Sequence, residues 1–319
     1  MTQAIFADIL PGAPEHGAAE APKAIAGRGP WQLAWERLRH DKVAIASATV
    51  IVLIALMAVV APLVALATGH GPDAQYRIIG LSPQGIPVGP GHNFALGTDE
   101  LGRDVLVRVF YGARVSLLAG VVASGLAVAA GVLFGMVAGY FGGAVDTVLA
   151  RFMDVVLSLP YLVFAIALIS VVGPSLTVAV AVIAFFSFSS VGRVVRGQVL
   201  SLREKEFVEA ARSLGARDVH IMFVDILPNV MAPVIVYFTL LVPLAIVFEA
   251  TLSFLGLGVV PPTPSWGDML SSAINYYQVA WWYVVFPGVA LLVTTLAFNL
   301  LGDSVRDAFD PRYNRFLSS

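Results

Sequence analysis

Long apolar stretches separated by short polar ones dominate this chain. Apolar windows close to the roughly 20 residues that cross a bilayer as a helix fall at about 43–67, 115–140, 155–173, 175–192, 229–258 and 284–302. Only Gly173, Pro174 and Ser175 separate the third window from the fourth, so counting them as two crossings depends on that break. The pattern predicts an all-α membrane protein with six transmembrane helices.

The composition agrees with this prediction and excludes several classes of site. Of the 319 residues, 58% are hydrophobic and 13% are charged, whereas soluble domains carry about 25% charged residues. A net charge of −2 provides no basic field for nucleic acid. The absence of cysteine excludes disulfides, thiolate metal sites and a cysteine nucleophile, and the five histidines include no pair at metal-ligand spacing.

The positive charges predict the orientation of the chain. If the N-terminus is cytoplasmic, fifteen of the 19 Lys and Arg fall in inside segments and four in outside segments, and this asymmetry places both termini in the cytoplasm. The organisation is then a cytoplasmic N-terminal segment (1–42), a first transmembrane helix (43–67), an extracytoplasmic loop (68–112), a five-helix core (113–302) with a polar cytoplasmic loop at 193–228, and a cytoplasmic tail (303–319).

The N-terminal segment contains one predicted helix. Residues 1–29 are rich in Ala, Pro and Gly and are expected to be disordered. Trp31, Trp35 and Leu38 then recur at i, i+4 and i+7, which predicts an amphipathic helix on the membrane surface. A cleaved signal peptide is not expected, because the first apolar run begins only at Val43 and is longer than the roughly 7–15 residues of a signal core.

The extracytoplasmic loop changes character along its length. Its first half is rich in Gly and Pro and predicts an irregular, shaped loop. From Thr98 onward, Asp99 and Glu100 suit the positive end of a helix dipole, and Leu101, Val105 and Val109 follow at helical spacing. This half predicts a short interfacial helix that leads into the second span.

Two features inside the spans indicate packing or function. Gly131, Gly135 and Gly139 form a ridge at i, i+4 and i+8 of the second span, which predicts close approach of another helix. Glu249 is a carboxylate in the outer half of the fifth span, and such residues are functional candidates. Two roles for Glu249 stay open here, a helix-packing or interfacial role and a role at the outer gate of a pathway.

The polar cytoplasmic loop contains a hinged pair of predicted helices, here called the elbow (residues 202–228). Residues 202–214 predict a helix with Phe207, Ala210, Ala211 and Leu214 on one face. Gly215 predicts a helix stop with positive φ, and a second helix follows to Leu227, with Pro228 at the entry to the fifth span. Small alanines in the middle of an exposed helix favour docking of a partner protein over contact with lipid.

These residues resemble a known family. Glu209-Ala210-Ala211, Gly215 and Leu227-Pro228 resemble the EAA motif of bacterial ABC-importer permeases, the loop that docks into a cleft on the ATPase. Further motifs resemble DppC/OppC-type permeases of dipeptide and oligopeptide importers, and they lie at 96–106 (LGTDELGRDVL), 111–117 (YGARVSL), 252–258 (LSFLGLG), 261–267 (PPTPSWG) and 302–311 (GDSVRDAFDP). One departure is Asp225, which holds a place where the general motif has Ile.

The resemblance implies a fold, partners and site residues. It implies a type I ABC importer permease in the bacterial inner membrane that works with a homologous second permease of DppB/OppB type, two ATPase subunits and an extracytoplasmic peptide-binding protein. An importer of nickel, glutathione or another small solute is the alternative within the family. The residues expected to couple to the ATPase are Phe207, Glu209, Ala210, Ala211, Leu214, Gly215, Leu227 and Pro228, and the candidate receptor-docking residues are Asp99, Arg103, Asp104 and Trp266.

The energy source is expected to lie outside this chain. The three lysines, Lys23, Lys42 and Lys205, follow Ala, Asp and Glu, so no Gly-Lys-Ser/Thr loop exists to bind phosphates. ATP and Mg²⁺ are therefore expected on partner subunits, with no cofactor and no catalytic residue here. A secondary transporter would need charged relay residues in several spans, and an intramembrane enzyme would need paired carboxylates or histidines at membrane depth. The predicted spans offer Glu249 alone for such roles, so neither class is favoured.

Overall fold

The computed structural model describes residues 30–310, and the expectations for residues 1–29 and 311–319 lie outside this part of the chain. Within residues 30–310 the regular elements are helices, accompanied by two isolated β-bridges. The helices are α1 (Pro30–Leu38), α2 (Lys42–Thr68), α3 (Arg77–Gly80), α4 (Val105–Phe141), α5 (Gly143–Ser158), α6 (Tyr161–Val172), α7 (Leu176–Leu202), α8 (Glu206–Ser213), α9 (Asp218–His220), a π-helical segment (Ile221–Ile226), α10 (Leu227–Phe254), α11 (Trp266–Ala273) and α12 (Trp281–Phe309).

Five of these helices are long and apolar enough to cross a membrane. They are α2, α4, α7, the continuous helix Asp218–Phe254 and α12, with 27 to 37 residues each. The pair α5 and α6 passes the same test together but is bent by 86°. The helical membrane class predicted from the sequence is therefore confirmed, with five spans, or six if the bent pair forms one.

The bend in the third apolar window was not expected from the sequence. Proline disfavours helical geometry at the residue before it, and Leu159, which precedes Pro160, has ψ 134°. The prediction of one continuous span at 155–173 is wrong in this respect. The break between the third and fourth windows is confirmed, since Gly173 has φ 101° and the Ser175 side chain accepts a hydrogen bond from the Val178 N–H of α7.

The glycine ridge of α4 packs against α7. A Cβ atom placed on Gly135 would lie 2.6 Å from the carbonyl oxygen of Gly192, and one placed on Gly131 would lie 2.6 Å from Val191. A Cβ atom placed on Gly139 would lie 2.8 Å from the Val199 side chain. The predicted close approach is confirmed, and the structure identifies α7 as the partner helix.

The second span begins at a different residue from the one predicted. The Asp104 side chain caps α4 by accepting from the Leu106 N–H at 2.8 Å. Asp99 instead closes a turn, because its carboxylate accepts from the N–H groups of Leu101 and Arg103, both at 2.9 Å. The predicted helix leading into the second span is therefore present only from Val105, as the first turns of α4, and residues 98–104 form a turn instead.

The N-terminal helix α1 lies against the end of α12. The Trp31 and Phe309 rings are 5.2 Å apart between centroids, and Arg37 donates to the carbonyl oxygens of Ala308 and Asp310 at 2.9 and 3.0 Å. Next to this contact, a hydrogen bond with Ser304 lowers the pKa of Asp41, which caps α2. The predicted helix is confirmed, while its position on a membrane surface stays a prediction.

Candidate functional site

The elbow is a short exposed helix followed by a glycine turn. Helix α8 begins at Glu206, four residues later than predicted, because α7 continues to Leu202. Gly215 has φ 79°, the positive value that was predicted for the helix stop. The Ala216 N–H then donates back to the Ala211 carbonyl at 3.1 Å and closes the turn.

The second arm of the elbow is continuous with the fifth span. Residues Asp218–Phe254 form one helix of 37 residues, so the prediction of a separate second helix ending at Leu227 is wrong. The π-helical segment Ile221–Ile226 lies directly before Leu227 and Pro228. Its wider turn accommodates the ring and the missing N–H of proline, so the helix does not end there.

One face of α8 is buried and the opposite face is open. Val208 is fully buried against Ile221 and Met222. Leu214 is 89% exposed and Phe207 is 41% exposed. The other residues expected to couple to an ATPase are exposed or half-buried, with Glu209, Ala210, Gly215 and Pro228 exposed and Ala211 and Leu227 half-buried. The elbow therefore presents apolar side chains outward from a polar loop.

Arginine side chains attach the elbow region to the neighbouring helices. Arg203 donates from Nη1 to the Gly139 carbonyl of α4 at 3.1 Å. Arg196 donates to both carboxylate oxygens of Asp146 of α5, and the distance from Nη2 to Oδ2 is 2.8 Å. Among residues 30–310, Glu209 forms no ion pair, so its carboxylate is open to a partner.

A cluster of buried charges holds the segment between α2 and α4 (residues 69–104), called the outer segment after its predicted location, and Arg108 of α4 lies at the centre of this cluster. Arg108 is 1% exposed and donates to the carbonyl oxygens of Pro72 and Pro262 at 3.1 and 3.3 Å. Its guanidinium also lies 3.3 Å from the Asp99 carboxylate and 3.6 Å from Asp268 of α11. Arg108 thereby connects separate parts of the chain at the N-terminal end of α4.

The ionisation of this cluster follows from burial and pairing. Burial raises the pKa of Asp268, and the charge of Arg108 opposes that effect. Burial alone would lower the pKa of Arg103, but the charge and hydrogen bond of Asp99, 2.6 Å away, outweigh it and raise the pKa. Arg103 therefore stays charged inside the cluster.

The four candidate receptor-docking residues lie inside the protein. Asp99, Arg103, Asp104 and Trp266 are 0, 5, 1 and 0% exposed. The Asp99 carboxylate accepts hydrogen bonds from backbone N–H groups and from the Arg103 side chain. The Trp266 indole donates to the Val109 carbonyl at 3.0 Å. The rest of the chain encloses these four residues in this structure, and their part in receptor docking stays a prediction. The exposed apolar part of the outer segment is α3, where Ile78 is 95% exposed.

Glu249 is enclosed between helices of this chain. It is fully buried, and its carboxylate accepts hydrogen bonds from Ser116 of α4 at 3.0 Å and from Ser253 of α10 at 2.7 Å. This geometry connects the N-terminal half of α4 to the C-terminal end of α10. The position favours the packing role, while the gating role stays a prediction.

The sequence reasoning missed the residues that connect distant segments. Arg108, Arg203 and Ser116 contact partners 64 to 154 positions away, and Tyr140 contacts Asp218. The local signal was a polar side chain at the edge of the second apolar window, with Tyr140 at its last position and Arg108 in the predicted loop before it. Among residues 30–310, no group of three or more His, Asp or Glu side chains has the arrangement of a metal site.

Comparison with known proteins matches two parts of the chain to family models. Residues 131–315 match the family model of the binding-protein-dependent transport system inner membrane component, and residues 29–83 match the N-terminal TM domain of oligopeptide transport permease C. The di/tripeptide transport system permease protein DppC of Pseudomonas aeruginosa UCBPP-PA14 is 40% identical over 93% of this chain and 97% of its own length. The oligopeptide transport system permease protein OppC of Escherichia coli K12 is 42% identical over 90% of this chain and 93% of its own length.

Proposed function

Because this chain belongs to the family of binding-protein-dependent transport system inner membrane components, we propose that it carries peptides through the cytoplasmic membrane as one permease subunit of an ATP-driven importer. The relatives are named for dipeptides, tripeptides and oligopeptides, which supports peptides as the substrate. As a permease subunit it is a multi-pass inner-membrane protein and not itself an enzyme.

The proposed topology has six crossings, with the bent pair α5 and α6 as the third and both termini in the cytoplasm. The charge asymmetry of the sequence supports this orientation. It places the elbow and α1 at the inner surface, and the Arg108 cluster with α3 at the outer surface. The elbow is then positioned to meet cytoplasmic ATPases, and the outer segment is positioned to meet an extracytoplasmic receptor.

The proposed partners are a second homologous permease, two ATPase subunits that hold ATP and Mg²⁺, and an extracytoplasmic peptide-binding protein. Closure of the ATPases would displace the elbow and thereby alternate the permease between inward-facing and outward-facing states. Residues 68–98 would contribute to the receptor-docking surface or to a lid over the pathway. The exposed side chains of α3 belong to this segment.

The observation that carries the proposal is the outward apolar face of α8. Leu214 is 89% exposed beside the left-handed turn at Gly215 and Phe207 is 41% exposed on the same stretch, and adjoining exposed apolar side chains on a polar loop are typical of a partner-binding surface. Phe207 and Leu214 would enter a cleft of the ATPase. Glu209 would face a basic group there, and truncating one member of such a buried pair costs about 2–5 kcal/mol.

Co-purification tests the proposed partnership. Glu209→Lys and Gly215→Val should leave the permease in the membrane but remove most of the ATPase that co-purifies with it, because the first reverses a charge and the second strains a backbone at φ 79°. Gly197→Val is the matched control, since a Cβ at Gly197 meets no atom within 4 Å and its φ is ordinary. Wild-type amounts of ATPase with both elbow variants would contradict the proposal.

A further inference from the structure

Tyr140 lies where the second span meets the elbow. It is the residue before the last of α4, and it is 5% exposed. Its ring belongs to the same buried cluster as Val208 of α8 and Ile221 and Met222 of the π-helical segment. The end of α4 therefore forms the surface on which the buried side of the elbow rests.

The Tyr140 side chain contacts both arms of the elbow. Its hydroxyl donates to Oδ1 of Asp218, the first residue of α9, at 2.7 Å. The Arg212 guanidinium of α8 lies 5.7 Å from the centroid of the Tyr140 ring, a cation–π distance. Arg212 precedes the turn at Gly215 and Asp218 follows it. One side chain thus contacts the chain on each side of the hinge.

Backbone hydrogen bonds close the turn between these contacts, such as the one from the Ala216 N–H to the Ala211 carbonyl. A Cβ atom at Gly215 would meet nothing within 4 Å, so side-chain packing does not hold the turn there. The angle between the two arms therefore depends on these bonds and on the contacts that flank the turn. The hydrogen bond to Asp218 and the ring contact to Arg212 supply such contacts from α4.

Helix α4 continues without interruption from this contact to the outer surface. Its 37 residues extend for about 55 Å at a rise of 1.5 Å per residue. At the other end, Arg108 binds the carbonyl oxygens of Pro72 and Pro262. A displacement of the elbow that reaches Tyr140 would thus be passed along one helix to the segment that the outer cluster holds.

We propose that Tyr140 is a positioning residue that joins the elbow to α4, so that elbow movement driven by the ATPases is transmitted to the outer segment. This inference rests on the proposed function for what drives the movement. The joint itself consists of the hydroxyl bond to Asp218 and the ring contact to Arg212. Tyr140 acts through these residues and touches neither nucleotide nor peptide.

The substitution Tyr140→Phe removes the hydrogen bond and keeps the ring. Asp218 is exposed, so the variant leaves no unpaired charge in the interior and should fold. Tyr237→Phe is the matched control, because Tyr237 also lies in a spanning helix and its hydroxyl has no hydrogen-bond partner among residues 30–310. Asp218→Asn keeps an oxygen that can accept the bond, whereas Asp218→Leu removes it.

The first measurement is amide hydrogen exchange of residues 206–220 in the purified full-length permease. Tyr140→Phe and Asp218→Leu should each raise exchange of the elbow amides by about tenfold, the factor expected for losing a hydrogen bond to a charged group. The double variant should match the single variants, because both remove the same bond, and Asp218→Asn, which keeps a neutral acceptor, should fall between them and the wild type. Exchange in Tyr140→Phe equal to that in Tyr237→Phe would overturn the inference.

The second measurement is peptide uptake per ATP hydrolysed by the complete complex in vesicles. Tyr140→Phe should keep the ATPases bound and hydrolysing but lower uptake per ATP by about tenfold. Loss of ATPase binding in this variant would overturn the inference, because Tyr140 would then build the docking surface. A wild-type complex without ATP-driven uptake would count against the proposed function, and the exchange measurement would still decide the role of Tyr140.

Discussion

At the scale of single residues, the polar groups buried in this protein connect separate helices. Arg108 binds carbonyl oxygens of two distant segments near the N-terminal end of α4, and Glu249 of α10 accepts a hydrogen bond from Ser116 of α4 as well as one from Ser253 of its own helix. Burying such groups costs free energy unless hydrogen bonds or opposite charges replace the lost water, as the nearby Asp99 carboxylate does for Nε of Arg108. Each of these contacts therefore fixes the position of one helix relative to another.

The hydrogen bonds of Glu249 predict that two substitutions at this position differ in their effect on stability. Glu249→Ala should lower the free energy of unfolding by roughly 2–4 kcal/mol, because it leaves a cavity and two serines without their acceptor. Glu249→Gln has the same shape and keeps an acceptor, so it should cost much less. Chemical unfolding of the purified protein in detergent measures both. A Glu249→Ala variant as stable as the wild type would exclude the packing role and leave the gating role.

At the scale of helices, the contact between α4 and α7 is set by the glycine ridge. The absence of side chains at three positions lets the backbones approach until a Cβ would overlap carbonyl oxygens and valines of α7. Without a hydrophobic driving force inside the bilayer, such close van der Waals contact contributes much of the association of helices. The ridge therefore organises the centre of the described fold.

The ridge predicts a position-dependent effect of one methyl group. Gly135→Ala should destabilise the protein by about 1–3 kcal/mol, the usual cost of overpacking, since its Cβ would lie 2.6 Å from the Gly192 carbonyl oxygen. Gly125→Ala lies in the same helix, where a Cβ meets no atom within 4 Å, and should be neutral or slightly stabilising. Unfolding of both variants in detergent gives the comparison, and equal stabilities would show that the ridge does not set the packing.

The presence of these helices could be predicted from the sequence more reliably than the residues at which they end or the contacts that they make. The spans, the glycine ridge and the left-handed turn at Gly215 follow from local constraints, namely bilayer thickness, helical periodicity and the steric cost of a side chain at positive φ. The start of α4 was missed because Asp99 and Asp104 can each cap a helix, and only the folded loop selects Asp104. The partners of Arg108 lie 36 and 154 positions away, so no local pattern reveals them.

At the scale of the whole molecule, the described fold places two specialised regions at opposite ends of its spans. The elbow lies at one end of α4 and the buried charge cluster lies at the other. In the proposed orientation, these ends face the ATPases and the receptor. The permease then serves to connect an energy source on one side of the membrane with a substrate donor on the other.

Cysteine labelling tests this orientation, since the natural sequence has no cysteine. Cysteines placed at the exposed positions Gln84 and Asn275 should react from outside with a membrane-impermeant thiol reagent, and one at the exposed position Ser213 should react only after the cells are opened. Labelling of position 213 in sealed cells would contradict a cytoplasmic elbow.

The most direct test of the central claim is uptake of a labelled dipeptide into vesicles that contain the complete complex, with receptor and dipeptide outside and ATP inside. The account predicts uptake that requires ATP, the receptor and the ATPases, and that Gly215→Val reduces to background while Gly197→Val does not. Uptake without the ATPases, or uptake unaffected by Gly215→Val, would contradict the claim that this chain is a permease driven through its elbow.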